Sequence, residues 1–304
     1  MEIATPPAAK PLPPKLPLRA ATPAGPTPPP LPKAFSMASA KCSSKSRILL
    51  IGAPGSGKTV LGCMLPKPLI LDLDNNIEGP ITFITEQKIL TESEANDVII
   101  VRPFIDGDGN LVKRADRWTC MGRAITAYLK EYPDRQTIFI DSLSAVVAAA
   151  MDEVRRQGKI YIAEDELGDS KDLNKTVDEP LRIQDWGAFV TLLEQLFIRL
   201  SGRNLNLVVS AHTKDDEVGE GTGVYKTFIN CPGSFREKVA GMFSESWLIS
   251  REIKGAGATA TSEVYIQTAA GGKLSPLGLK SAKQIGAKVL VDLTKIKKLF
   301  APSA

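Results

Sequence analysis

Eight consecutive residues, Gly52-Ala53-Pro54-Gly55-Ser56-Gly57-Lys58-Thr59, fit the pattern of a glycine, four residues of any type, then Gly-Lys-Thr. That spacing suits the cradling of a phosphate chain. The glycines let successive backbone N–H groups curl around the anion, the lysine reaches the terminal phosphates, and the threonine hydroxyl ligates Mg²⁺. Gly52 to Thr59, together with Val60 on the following helix, are therefore expected to bind a nucleotide. Asp141 closes the apolar run Thr-Ile-Phe-Ile-Asp and is placed to hold the same Mg²⁺, making Thr59 and Asp141 the expected metal ligands. Thr213-Lys214-Asp215-Asp216 fits a guanine-reading pattern, but Asp141-Ser142-Leu143-Ser144 lacks the glycine that a GTPase places three residues after its aspartate. The expected cofactors are thus ATP and Mg²⁺.

Three residues are candidates for catalysis. Asp74 ends the run Leu-Ile-Leu-Asp-Leu-Asp, where a strand end would bring it to the γ-phosphate to polarise the attacking water. Glu78 competes for that role with a longer side chain, and Asp74-Asn75-Asn76 also reads simply as a turn. His212 follows Asn-Leu-Val-Val-Ser-Ala and is expected to sense the γ-phosphate if its strand lies beside that of the phosphate loop. It is the chain's single histidine, which excludes multi-histidine zinc sites. With no GxSxG segment to pair with it, a Ser-His-Asp hydrolase is excluded too.

These residues need a scaffold of alternating strands and helices. Short apolar runs mark strands at 47–51, 68–73, 97–101, 137–140 and 204–210. Helices are expected over 58–64, 118–132, 144–156 and 186–200, the last with Phe189, Leu192, Leu193, Leu196, Phe197 and Leu200 on one face. The polar stretch 157–182 has no period and reads as a loop or insertion. Glycines near 219–223 signal a hairpin over 218–229, 234–243 reads as helical, and 245–251 and 262–268 read as strands at an antiparallel edge. The expected fold is α/β, a mostly parallel central sheet flanked by helices.

Twelve of the 22 prolines lie within the first 32 residues, so 1–45 is expected to be a disordered, basic, proline-rich tail. The folded core is expected over 46–275, with a basic extension over 276–304. Residues 1–47 carry a net +6 and 276–304 a net +5, so a total of +4 leaves 48–275 at −7. Basic ends favour polyanions such as nucleic acid; they also serve as solvated tails. The four cysteines are widely spaced and no apolar run reaches the ~18 residues of a membrane span. A reduced cytoplasmic setting and no membrane partner are expected.

The phosphate loop, the strand ending Ile140-Asp141-Ser142, Trp186 opening an amphipathic helix, and Val208-Val209-Ser210-Ala211-His212 together resemble the RecA-like P-loop ATPase core. Cys231-Pro232-Gly233-Ser234-Phe235-Arg236, with the histidine, resembles the phage nucleotide-binding proteins that consist of that core alone. The likeness covers about 46–275. It implies ATP hydrolysis, slow and stimulated by DNA, single-stranded DNA and a single-strand binding protein as partners, a homo-oligomer, and the host cytoplasm. The family usually carries Glu where this chain has Asp74, which bears on rate rather than on nucleotide binding. Its DNA-facing loops would fall at about 157–182 and 213–232, both acidic here. A loader or scaffold switched by ATP on a protein partner is the alternative. A nucleotide or small-molecule kinase is a further one, though its lid would want arginines and 157–182 holds only Arg182. Arg236, Arg251 and Lys273 are candidates to reach across a subunit interface.

Overall fold

The computed structural model describes residues 45–165, 181–183, 185–219, 221–255, 261–281, 285–291 and Phe300. Most of the expected tail therefore lies outside the described residues, as does most of the stretch 157–182.

The sheet is built on β1 (Arg47–Gly52), β2 (Pro68–Asp72), β3 (Ile99–Val101), β4 (Thr137–Asp141) and β5 (Asn206–Glu217). To these are added β6 (Tyr225–Ile229), β7 (Glu245–Lys254), β8 (Thr261–Gln267) and β9 (Lys288–Leu290). The order is β3-β2-β4-β5-β1-β7-β8-β9, with β6 pairing β5 off this path. From β3 to β7 every pairing on the path is parallel; β8 and β9 add an antiparallel edge, and β5 with β6 makes a hairpin whose arms, 213–217 and 225–229, start before the expected 218–229. Parallel strands covered on both faces read as unbroken apolar runs, and β2 and β4 are buried at every residue.

Alternate residues of each strand feed two cores. Leu49, Ile51, Ile138, Ile140, Leu207 and Val209 face one, with Phe189, Leu193, Phe197 and Leu200 of the helix Asp185–Ser201. Those helical residues recur at intervals of three and four, as a single buried stripe requires. Ile48, Leu50, Ile70, Phe139, Val208 and Trp247 face the other. On that side the helix Lys58–Cys63 approaches so closely that a Cβ on Gly62 would lie 2.2 Å from the Phe139 ring.

The structure corrects several expectations. The helix after β4 runs from Leu143 to Asp165, well into the stretch expected to be a loop. Its middle carries pairs one turn apart, with Arg155 on Asp152 and both Arg156 and Gln157 on Glu153. These polar contacts follow on from the buried stripe Leu143, Val146, Val147, Ala150 and Val154. Helices at Glu78–Glu86 and Glu92–Asn96 occupy a segment left unassigned above, the second opened by a reciprocal Thr91–Glu94 capping box. Beyond 275, β9 pairs with β8 and Lys280 bridges to Ser246.

Candidate nucleotide-binding site

The phosphate loop leaves the carboxyl end of β1 and turns directly into the helix at Lys58. Gly55 (φ 74°) and Gly57 (φ 100°) occupy the left-handed backbone region that side chains resist. A Cβ on Gly52 would meet the Ile249 carbonyl oxygen at 2.5 Å and Ser56 Oγ at 2.6 Å, so the first glycine is required by close approach.

Lys58 is 5% exposed, and its Nζ donates to the carbonyl oxygens of Gly52 and Ala53, each at 2.9 Å. Burial lowers its pKa to about 8, against the raising effect of Asp141 and Asp74. A buried ammonium held by backbone carbonyls alone keeps its charge weakly and gains by meeting a phosphate. Thr59 Oγ1 donates to Asp141 Oδ2 at 2.6 Å, and the Ser210 hydroxyl donates to Oδ1. Burial raises the Asp141 pKa and outweighs those two hydroxyls. A cation at Asp141 would relieve that cost, so the donor set fits Mg²⁺. Among the described residues no group of three or more His, Cys, Asp or Glu could hold a metal. Few protein ligands are what Mg²⁺ uses when water and phosphate complete its shell.

Asp74 and His212 come together across the mouth of the cleft, with Nε2 3.9 Å from Oδ2. That separation is longer than a hydrogen bond. Burial pushes the Asp74 carboxyl up, but His212, Ser142 and the charge of Lys58 together hold it below its ordinary value. The buried atoms Ser56 Oγ, Asn75 Oδ1, Ser142 Oγ and His212 Nδ1 have no hydrogen-bond partner in the protein. These orphaned polar atoms belong to residues in or next to this cleft, where a polar ligand and its water would satisfy them. The cleft, about 360 Å³, is lined by Ser56, Lys58, Thr59, Asp74, Asp141 and His212, with Phe83 and Arg251 also on its wall.

Glu78 is absent from that wall. Its carboxylate is paired with Arg102, and the same guanidinium donates to buried Asp72. Sequence reasoning passed over Arg102; the available signal was an arginine just past the run Val98-Ile99-Ile100-Val101. Of the three cations named for a subunit interface, only Arg251 lines this chain's own cleft. Lys273 pairs with Asp215 at 2.6 Å, and Arg236 pairs with Asp216 at 2.8 Å while lying over the Phe228 ring. Lys214 and Asp216 of the guanine-reading pattern pair with each other and do not line the cleft.

Residues 44–254 match the model of the AAA domain family. The chain belongs to that family. The matched AAA segment runs from the residues before β1 to the end of β7 and includes every site residue named above; β8 and β9 lie beyond it. An AAA domain is a P-loop NTPase-type domain, which agrees with the α/β sheet and with nucleotide binding at Gly52–Val60. No curated protein sequence matches the chain. Among the described residues, no helix of the AAA domain or its edge strands is long and apolar enough to cross a membrane.

Proposed function

We propose that this AAA domain hydrolyses ATP in the RecA-like manner and works on single-stranded DNA in phage recombination or replication. The observation that carries the hydrolytic part is one convergence. Lys58, the Thr59–Asp141 pair, Asp74 and His212 meet in a single cleft at the carboxyl ends of β1, β2 and β4 and midway along β5. Lys58 and the loop N–H groups bind the phosphates, and Thr59 with Asp141 holds Mg²⁺. The metal, when bound, neutralises charge on the β- and γ-phosphate oxygens. Asp74, held ionised, orients and polarises the attacking water, and His212 stands beside it to contact the γ-phosphate.

The DNA part is supported by the basic ends and by charge pairing in the hairpin. Asp215 is taken up by Lys273, Asp216 by Lys214 and Arg236, and Glu217 accepts from the Gly223 N–H. The hairpin is therefore far less acidic toward a passing phosphate chain than its sequence reads. Phosphate release from ATP with and without single-stranded DNA at low salt tests the whole reading. Stimulation by DNA is expected. Turnover without stimulation, and no DNA binding, would transfer the function to a protein partner, which the −7 carried by 48–275 favours. No turnover at all would end the ATPase reading.

A further inference from the structure

We infer that Arg102 is a positioning residue for Asp74. The inference rests on the reading of Asp74 as the carboxylate that polarises water. Arg102 follows β3 directly, and β3 lies beside β2 at the edge of the sheet. Its Nε donates to Asp72 Oδ2 at 3.1 Å, and a terminal nitrogen pairs with Glu78. Asp72 is 0% exposed, and its other oxygen accepts the Asn76 N–H at 3.2 Å. One guanidinium therefore grips both ends of the segment from Asp72 to Glu78, and Asp74 stands inside that segment. The same segment is fixed to the metal-binding strand, because the Leu73 N–H donates to the Asp141 carbonyl oxygen at 2.7 Å.

The two legs of the clamp do different things. The Asp72 leg neutralises a buried carboxylate, a task any cation in reach performs. The Glu78 leg is exposed at the carboxylate, 63% by side chain, and exposed pairs contribute little to stability. What that leg does is fix where the start of the helix Glu78–Glu86 stands, and with it the turn that carries Asp74. Gripping two carboxylates at once needs the fork of an arginine; the point charge of a lysine serves one. Glu78, which competes in sequence for the role of base, is on this geometry part of the clamp.

The test is a double-mutant cycle of Arg102→Lys and Asp74→Asn. Steady-state ATP turnover is read beside affinity for a fluorescent ATP analogue and the melting temperature. Arg102→Lys is expected to lower kcat about tenfold, since a misplacement of ~1 Å can cost up to ~10²-fold. Nucleotide affinity should stay within about twofold. In the Asp74→Asn background the same change should cost less than about twofold, because there is no carboxylate left to position. Additive losses, or an unchanged kcat with a lowered melting temperature, overturn the inference. If Arg102→Lys does not fold, Glu78→Gln breaks the exposed leg alone. It should give a several-fold loss of kcat that likewise vanishes beside Asp74→Asn, and an unchanged kcat overturns the inference. Full turnover in Asp74→Asn alone would instead overturn the reading of Asp74 itself, and the clamp with it.

Discussion

Gly52 and His212 stand opposite one another in the parallel register of β1 and β5. One opens the phosphate loop and the other faces Asp74 across the cleft. The pairing brings a residue far along the chain beside the phosphate loop without any loop to steer it. Asp72 and Asp141 are opposite in the same way on β2 and β4, so the strand that leads to Asp74 and the strand that ends in Asp141 share one frame.

Replacing Lys58 by Ala should weaken MgATP binding at least about tenfold, as expected for a lost charge-assisted contact of ~1.5–3 kcal/mol. Equal affinities of the two proteins in titration calorimetry would contradict the loop's role.

A pH dependence follows from the Lys58 value of about 8. Above that pH the free protein has lost the proton that phosphate binding requires. MgATP affinity should therefore decline as pH rises past 8, and the binding heat should vary with buffer ionisation enthalpy. Stability of the free protein moves oppositely. Because the folded value lies below the ordinary 10.5, the unfolded chain holds more protons between the two, and stability rises with pH across that window. A flat affinity from pH 7 to about 9.5 would show that Lys58 stays charged.

Asp74→Asn should leave ATP binding nearly intact and reduce turnover ~10²-fold or more. Glu78→Gln should cost only several-fold, since Glu78 is held by Arg102 outside the cleft wall. The reverse ranking would make the longer side chain the base. Because Asp74 is held below its ordinary 3.8, turnover should show no loss from its protonation between about pH 5 and 8.

Gly62→Ala should destabilise the fold by about 1–3 kcal/mol through overpacking. The new methyl would lie 2.2 to 2.7 Å from three atoms of the fully buried Phe139 ring. A urea midpoint equal to that of the parent would mean that the helix can shift away from the sheet.

Deleting residues 1–44 should leave the melting temperature unchanged, because Ser46 still donates its N–H to Asn206 at 3.0 Å and closes the start of β1. If the tail touches DNA, the salt slope of single-strand binding should flatten by ~0.7 for each lost phosphate contact. An unchanged slope assigns the tail no DNA contact.

The phosphate loop was legible because its chemistry is local: eight adjacent residues specify the turn, the cation and the hydroxyl. The buried strands were legible for the same reason, as each is an apolar run bounded by polar or turn residues. His212 was legible only conditionally, since its role depends on which strand lies beside β1. The Arg102 clamp could not be read at all. Asp72, Glu78 and Arg102 come from β2, the following helix and the end of β3, and only the sheet order brings them together. The helix beyond Arg156 was hidden for another reason: the residues leading into it are paired through carboxylates and arginines, which a search for apolar periodicity passes over.

β5 changes neighbours at the residue next to the cleft. Through His212 it is bonded to β1, and from Thr213 onward it is bonded to β6. The strand continues without a break to Glu217, about 16 Å further at the usual rise. His212 thus sits at the junction, with the cleft on one side and the hairpin on the other. Val218 and Tyr225, both exposed, stand at the far end of that hairpin. A single length of backbone therefore joins the wall of the cleft to the hairpin tip.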